Sequence, residues 1–172
     1  AEYGVVQGRP DNTVDSEGHL NRAEALTVYY RLFDMAPVYD ENCTFPDVEE
    51  DVWFAAAVST LCNMGMIGGY SDGTFQAENQ LNRAEAMKIL VEGIGDVPSP
   101  PYENLPSDVS EDEWYAPYAE YAVSRNLTNL SDGNFNGEHL YSRGDLFLNV
   151  YRYMRLEELG EEVYSSDLDP MV

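Results

Sequence analysis

The sequence is short of basic residues. It has only 9 Lys and Arg against 32 Asp and Glu, which gives a formal net charge of −23 over 172 residues. Nucleic acids are bound largely through Lys and Arg contacts to phosphate groups, so this balance argues against a nucleic-acid partner. So large an excess of negative charge fits a highly solvated protein of the cell exterior, or acidity that serves solubility alone.

Cysteine is also scarce, since only Cys43 and Cys62 are present. There is no CxxC motif and no Cys/His cluster, so we expect no zinc or other metal site. In an oxidising compartment a disulfide between the two residues would tie a loop to the predicted helix that follows it. Two buried free thiols are the alternative.

Long apolar runs are missing as well. No stretch of about 20 apolar residues occurs, so we expect no membrane span. No signal peptide is visible, and if the protein is exported we expect that segment to have been removed or to lie outside this sequence. There is no nucleophile elbow or phosphate-binding loop, and His19 and His139 are isolated. We therefore expect a protein that is not an enzyme and needs no cofactor.

What the sequence does contain is a repeat of about 60 residues. The hexapeptide LNRAEA occupies positions 20–25 and again 81–86, and Trp53 recurs 61 residues later as Trp114. A period of this length predicts structural units that stack on one another. The predicted units are unit 1 (1–40, its first helix largely missing), unit 2 (41–100), unit 3 (101–163) and the possible start of a further unit (164–172).

Each unit is predicted to be a loop, a helix, a second loop and a second helix. Apolar residues at helical spacing start at Trp53, which favours a core position for this side chain over an exposed one. The same pattern predicts the first helix of unit 3 at about 113–125, with Trp114 facing inward. The second helices are predicted from Arg22 to about Asp34, from Arg83, and from Arg143 to about Leu159.

Local motifs support these boundaries. Asn82 and Glu85 have the spacing of a capping box, and Ser142 with Asp145 preserves the same chemistry in unit 3. Asp72 before Gly73 is typical of a tight turn, because Asp bonds the backbone that follows it and Gly tolerates positive φ.

Several of these elements together resemble the S-layer homology (SLH) domain family. The matching stretches are FPDV at 45–48, Trp53, GMIGGY at 65–70, SDGTF at 71–75 and LNRAE at 81–85. The resemblance implies a mostly α-helical, pseudo-threefold arrangement of the units in an extracellular, cell-surface module. It also implies that grooves between units bind cell-wall polysaccharide, which often carries anionic pyruvate ketals.

Carried over residue by residue, the resemblance implies a set of groove residues that contact glycan. They are Arg22, Arg83, Arg143, Trp53, Trp114, Gly69, Asp72 and Gly73. An Arg fork suits a carboxylate and an aromatic face suits a sugar ring. Two simpler interpretations stay open: Arg83 pairs with Glu85 or a loop acid, and Asp72 only forms its turn.

The sequence also departs from the family pattern. Positions 9–14 (RPDNTV) stand in unit 1 where unit 2 has 70–75, and unit 3 lacks the Ala and Glu that should follow Arg143. We therefore expect at least one inactive groove, and the net negative charge would repel an anionic glycan.

Three Asn-X-Ser/Thr tripeptides are candidate glycosylation sites. Their asparagines are Asn42, Asn126 and Asn129, and Asp40 precedes the first by two positions, as bacterial glycosylation systems prefer.

Two functions remain open on this basis. The first is a module that attaches a surface protein or S-layer to cell-wall polysaccharide. The second is a self-assembling subunit of an S-layer or extracellular filament, whose partners are copies of itself. Partial units at both ends motivate the second, because neighbouring chains could complete one another.

Overall fold

A computed structural model describes residues 15–170. Over that range the chain forms five α-helices and two short 3-10 segments, and it contains no β-sheet, so the predicted mostly helical fold is confirmed. The helices are α1 (Arg22–Leu32), α2 (Ala55–Asn63), α3 (Arg83–Ile94), α4 (Ala116–Ser124) and α5 (Arg143–Leu159), with 3-10 turns at Glu41–Cys43 and Ser166–Leu168. None of these helices is long and apolar enough to cross a membrane.

Some predictions lie outside these residues. The turn of unit 1 at positions 9–14 and the end of the possible further unit, 171–172, are not among the residues described. Completion of partial units between chains therefore stays a prediction.

The helices that open with arginine, α1, α3 and α5, all begin at a reciprocal capping box. The boxes pair Asn21 with Glu24, Asn82 with Glu85 and Ser142 with Asp145. In each box the N-cap side chain accepts the backbone N–H of the third helical residue, whose carboxylate accepts the N-cap N–H. The acid of the repeated hexapeptide thus fixes where the helix starts.

The shorter helices α2 and α4 begin later than predicted. They start at Ala55 and Ala116, so both tryptophans lie in the turn before the helix. Trp53 is 63% exposed and Trp114 is 52% exposed, and the prediction that they face the core is wrong. The neighbouring Phe54 and Tyr115 point inward instead, because the chain leaves helical register before the tryptophans are reached.

One apolar core connects the units. Phe54 stacks on Phe75 with ring centres 6.3 Å apart, and Tyr115 stacks on Phe135 at 6.0 Å. Helix α1 packs against α2 and α3, and α3 packs against α4. The second helix of one unit therefore packs against the first helix of the next.

Backbone hydrogen bonds join the units in a closed cycle. The first two N–H groups of α1 donate to the second loop of unit 2, those of α3 to unit 3, and those of α5 back to unit 1. The bonds are Arg22 to Asn79 (2.7 Å), Ala23 to Ala77 (3.1 Å), Arg83 to His139 (2.9 Å), Ala84 to Gly137 (2.9 Å), Arg143 to Gly18 (2.8 Å) and Gly144 to Ser16 (2.8 Å). They satisfy N–H groups that a helix start otherwise leaves unpaired.

The linkers between units cross the first helix of the following unit. Cys43 and Cys62 form a disulfide that ties the first linker to α2, with the two Cα atoms 5.7 Å apart. The second linker is held by Glu120 of α4, which is only 8% exposed. Its carboxylate accepts the backbone N–H groups of Glu103 and Asn104, at 3.4 and 2.8 Å.

Candidate functional site

Arg22 lies at the contact between units 1 and 2. Its side chain donates to the carbonyl of Gly68 through Nη2 at 3.1 Å and to the carbonyl of Phe75 through Nε at 3.2 Å. The guanidinium carbon also lies 5.1 Å from the ring centre of Tyr70 and 4.9 Å from that of Phe75. Since the residue is only 8% exposed, its donors are used within the protein.

Arg83 repeats this arrangement between units 2 and 3. Its Nη1 donates to the carbonyl of Phe135 at 2.7 Å, and its Nη2 lies 3.5 Å from Oδ1 of Asp145. The ion-pair partner is therefore an acid of α5, while the carboxylate of Glu85 belongs to the cap of its own helix. Arg83 thus pairs with an acid, but this acid is neither Glu85 nor a loop residue, the two partners that the sequence had suggested.

Arg143 approaches unit 1. Its Nη1 lies 4.0 Å from Oε1 of Glu24, and its guanidinium carbon is 5.5 Å from the ring centre of Phe147. All three arginines thus begin a helix and contact a neighbouring unit or the helix start beside it. The arrangement fixes how adjacent units meet, and it leaves Arg22 and Arg83 little surface for a ligand.

The two tryptophans occupy equivalent exposed positions. Trp53 stands edge-on to Phe54, with ring centres 5.2 Å apart, and Trp114 stands edge-on to Tyr115 at 5.4 Å. Each indole thus packs edge-on against an aromatic ring that belongs to the core. Large aromatic faces held in this way are suited to stacking on another flat or apolar surface.

Acidic runs precede both tryptophans. They are EED at 49–51 and EDE at 111–113, and all six side chains are exposed. Over residues 15–170 none of these six carboxylates takes part in an ion pair. The surface beside each indole is therefore negatively charged at neutral pH.

The glycine and aspartate candidates shape a turn. Asp72 accepts the backbone N–H of Thr74 at 2.9 Å and its hydroxyl at 2.6 Å, and these bonds lower the pKa of Asp72. Gly73 adopts a φ of +81°. A Cβ on Gly69 would come within 2.7 Å of the Phe45 ring and 2.9 Å of the carbonyl of Thr74. These residues hold the second loop against the first.

One structural role was missed by the sequence analysis. Asp47 accepts the backbone N–H groups of Phe75 and Gln76 at 2.8 and 2.7 Å. Asp108 does the same for Phe135 and Asn136, both at 2.7 Å. Burial opposes ionisation of Asp47, but the backbone N–H bonds outweigh it and lower its pKa. The recurrence of the aspartate in both units was the available signal.

The three candidate glycosylation sites differ in their surroundings. Asn42 is exposed and its amide donates to Asp40 at 2.9 Å. The amide of Asn126 donates to the carbonyl of Tyr164 at 2.9 Å, and the Thr128 of that tripeptide is only 3% exposed. The side-chain oxygen of Asn129 accepts a bond from Arg152 at 2.9 Å. All three asparagines are exposed, and each side chain already has a hydrogen-bond partner.

Among residues 15–170, no group of three or more His, Cys, Asp and Glu side chains is placed to hold a metal ion.

Comparison with known proteins identifies one family. The model of the S-layer homology domain matches residues 44–87. The chain is 30% identical over 138 residues to the Surface-layer 125 kDa protein of Lysinibacillus sphaericus, covering 77% of this chain and 11% of that protein. It is 23% identical over 168 residues to the Middle cell wall protein of Brevibacillus brevis, covering 96% and 15%.

A third relative is named for anchoring. The chain is 25% identical over 126 residues to the Cellulosome-anchoring protein of Acetivibrio thermocellus, covering 70% of this chain and 28% of that protein. The aligned part of this chain thus corresponds to 11%, 15% and 28% of the length of these three relatives.

Proposed function

We propose that this chain, which carries an S-layer homology domain at residues 44–87, attaches a surface protein to cell-wall polysaccharide. Its relatives include surface-layer, cell-wall and cellulosome-anchoring proteins, and they place it outside the cell, at the cell surface. The proposed role is non-enzymatic binding.

The observation that carries this proposal is the pair of exposed indoles. Trp53 and Trp114 lie 61 residues apart, at equivalent turns of units 2 and 3, and both are more than half exposed. An exposed tryptophan loses the burial that normally stabilises it, so its recurrence at one place suggests a binding role. A sugar ring presents an apolar C–H face that can stack on an indole.

The arginines support the proposal as positioning residues. From the start of its helix, Arg22 reaches two carbonyl groups of the next unit and Arg83 reaches one. We propose that they set the spacing of the grooves and that the tryptophans contact the glycan. Together with the closed cycle of backbone bonds, these contacts support a pseudo-threefold arrangement of the three units.

The negative charge beside the tryptophans should affect the affinity for anionic glycans. The acidic runs beside both tryptophans would repel pyruvate ketals or phosphates across a Debye length of about 8 Å at physiological salt. If the glycan is anionic, added salt should screen this repulsion and raise the affinity. If it is neutral, the affinity should change little with salt.

The proposal can be tested by sedimentation with cell walls of the source organism, before and after acid extraction of their polysaccharide. We expect binding to intact walls and its loss on extraction. Trp53→Ala and Trp114→Ala should each weaken binding about fivefold, the equivalent of about 1 kcal/mol.

Tyr39→Ala is the matched control, because Tyr39 is also an exposed aromatic residue, at 70%. Its removal should leave wall binding unchanged. Full binding by the double tryptophan variant would show that the indoles are not the contact. Failure of the unsubstituted chain to bind intact walls would overturn the proposed attachment itself.

A further inference from the structure

A recess of about 500 Å³ opens between the first linker, the loop that follows it and the start of α2. Its floor is apolar and its rim is acidic. The apolar lining is formed by Tyr39, Cys43, Phe45, Val48, Ala55 and Val58, and the acids on the rim are Asp40, Glu41, Glu49 and Glu50. Neither tryptophan lines it, although Glu49 and Glu50 of its rim belong to the acidic run that precedes Trp53.

No basic side chain among the residues that the structure describes pairs with this rim. No Lys or Arg occurs between Arg31 and Arg83. Within residues 15–170, none of the four rim acids forms an ion pair. Asp40 accepts bonds from the backbone of Asn42 at 2.8 Å and from the Asn63 amide at 2.7 Å, which hold it at the rim. The other three carboxylates are exposed and accept no such bonds from the described part of the chain.

Two of the three neutral hydroxyl groups of the lining, those of Ser59 and Thr44, are engaged within the chain, while that of Tyr39 faces solvent. The Ser59 oxygen accepts the backbone N–H of Asp40 at 3.4 Å, and the Thr44 hydroxyl donates to the carbonyl of Glu41 at 3.2 Å. The rim carboxylates could accept bonds from sugar hydroxyl groups, but only a cationic donor also neutralises their charge. An occupant with an apolar stem and a positive end fits both the floor and the rim.

We propose that this recess binds a lysine or arginine side chain of a partner polypeptide. The aliphatic stem lies along Phe45, Val48 and Val58, and the charged end meets the carboxylates of Glu41, Glu49 and Glu50. Basic side chains bury their methylene stems against apolar surface and keep the charge at its edge, which is the arrangement this recess offers. The inference does not depend on glycan binding.

The disulfide shapes one wall of the recess. Cys43 lines it and is bonded to Cys62 of α2, so the linker that carries Tyr39 and Glu41 is held beside the helix. Reduction of this bond should therefore loosen the recess and weaken binding of the basic side chain.

The test is an NMR titration of the ¹⁵N-labelled chain at 0.15 M salt with the blocked tripeptide acetyl-Gly-Lys-Gly-amide. The salt suppresses general attraction to an acidic protein. We expect saturable shifts confined to residues 39–59. The same peptide with an acetylated lysine amine keeps the stem and loses the charge, and it should not bind.

Two charge variants complete the test. Glu49→Gln with Glu50→Gln should weaken binding about fivefold, since exposed carboxylates each add modestly to an ion pair. Glu111→Gln with Asp112→Asn makes the same change in net charge in the equivalent loop of unit 3, outside the recess, and should have no effect. Both pairs are exposed, so both variants should stay folded.

Three results would overturn the proposal: no saturable shifts with the lysine peptide, equal binding of the acetylated peptide, or equal weakening by the two charge variants. Wall sedimentation of the Glu49→Gln, Glu50→Gln chain keeps the two proposals distinguishable. That chain should still bind walls through its tryptophans.

Discussion

Units 2 and 3 fasten their linkers to the first helix by different chemistry. In unit 2 the linker is joined to α2 by the Cys43–Cys62 disulfide. In unit 3 the position of Cys62 is taken by Val123, and Glu120 holds the linker through three hydrogen bonds, to Glu103 and to the backbone and amide of Asn104.

The linker of unit 2 is also held by polar bonds, from the backbone N–H groups of Val38 and Asp40 to the hydroxyl oxygens of Thr60 and Ser59 at 2.9 and 3.4 Å. The two units thus differ in the disulfide, which unit 2 adds to its polar contacts.

What the two units share lies elsewhere. Asp47 and Asp108 each accept two backbone N–H groups from the second loop of their own unit. Phe54 and Tyr115 each stack on the buried Phe of that loop. Both units therefore share the aromatic stack and the bonds from the aspartate of the first loop to the second loop, here called the clasp. The fastening of the linker varies.

Removal of the disulfide should cause the largest loss of stability among the changes considered for the two units. Cys43→Ala with Cys62→Ala should lower the free energy of unfolding by about 3 kcal/mol, because the crosslink closes a loop of 19 residues that is otherwise free in the unfolded chain. Urea unfolding measures the change. Dithiothreitol should destabilise the unsubstituted chain by a similar amount and leave the double variant unaffected. Equal stability with and without reductant would contradict this role.

Loss of the polar fastening in unit 3 should have the next largest effect. Glu120→Ala leaves the backbone N–H groups of Glu103 and Asn104 without their acceptor and should lower the free energy of unfolding by about 2 kcal/mol. Glu120→Gln keeps one oxygen acceptor and should lose less. Urea unfolding of both variants measures which of them loses more stability. A loss from Glu120→Gln as large as that from Glu120→Ala would mean that charge, rather than acceptor geometry, holds the linker.

The shared clasp should give equal effects in the two units. Asp47→Asn and Asp108→Asn each remove one of two oxygen acceptors, and each should lower the free energy of unfolding by about 1 kcal/mol. Because the pKa of Asp47 is lowered in the folded chain, its carboxylate stabilises the fold at pH values above the ordinary carboxyl range. This stabilisation is lost as the pH falls through the lowered pKa. Asp47→Asn should therefore flatten the loss of stability in acid.

Urea unfolding at neutral pH and in acid would check both points. Clearly unequal losses at neutral pH would show that the two clasps are not equivalent, despite their matching distances.

Features set by neighbouring residues could be predicted from the sequence. The starts of α1, α3 and α5 follow from capping residues three positions apart, and the structure has them there. The exposure of Trp53 could not be predicted, because it depends on a helix that starts only two residues later, at Ala55. Apolar spacing alone does not show where the helical register begins.

Contacts between side chains and backbone carbonyl groups could not be predicted from the sequence either. Arg22 meets the carbonyls of Gly68 and Phe75, 46 and 53 residues further along the chain. A carbonyl has no signature in the sequence, so an arginine that binds one looks the same as an arginine that binds a ligand. Glu120 did leave a signal: it is an acid between the inward-facing Ala119 and Ala122 of α4.

A second difference between the units lies in the core before the second helix. Tyr141 of unit 3 stands where units 1 and 2 have Leu20 and Leu81, and all three are buried. Its hydroxyl group needs partners that leucine does not. Tyr29 lies 3.4 Å away, hydroxyl to hydroxyl, and Tyr141 donates to Asn149, whose amide in turn donates to the carbonyl of Leu127 at 2.7 Å.

Alkaline pH should act on this buried pair. Burial, the main cause, raises the pKa of both Tyr29 and Tyr141 above the ordinary tyrosine value of 10.0. Above that value the unfolded chain releases the two protons while the folded chain retains them. Stability is therefore complete below about pH 10 and falls as pH rises toward the raised values.

Tyr29→Phe should have the smallest effect at neutral pH, under about 1 kcal/mol, because only the long bond to Tyr141 is lost. Above pH 10, however, it should reduce the slope of unfolding free energy against pH by the contribution of one proton. Tyr39→Phe is the control, because Tyr39 is 70% exposed and its hydroxyl meets water whether the chain is folded or not. Urea unfolding at a series of alkaline pH values measures both slopes. Equal slopes for the two variants would mean that the buried pair of Tyr29 and Tyr141 opens to water before the chain unfolds.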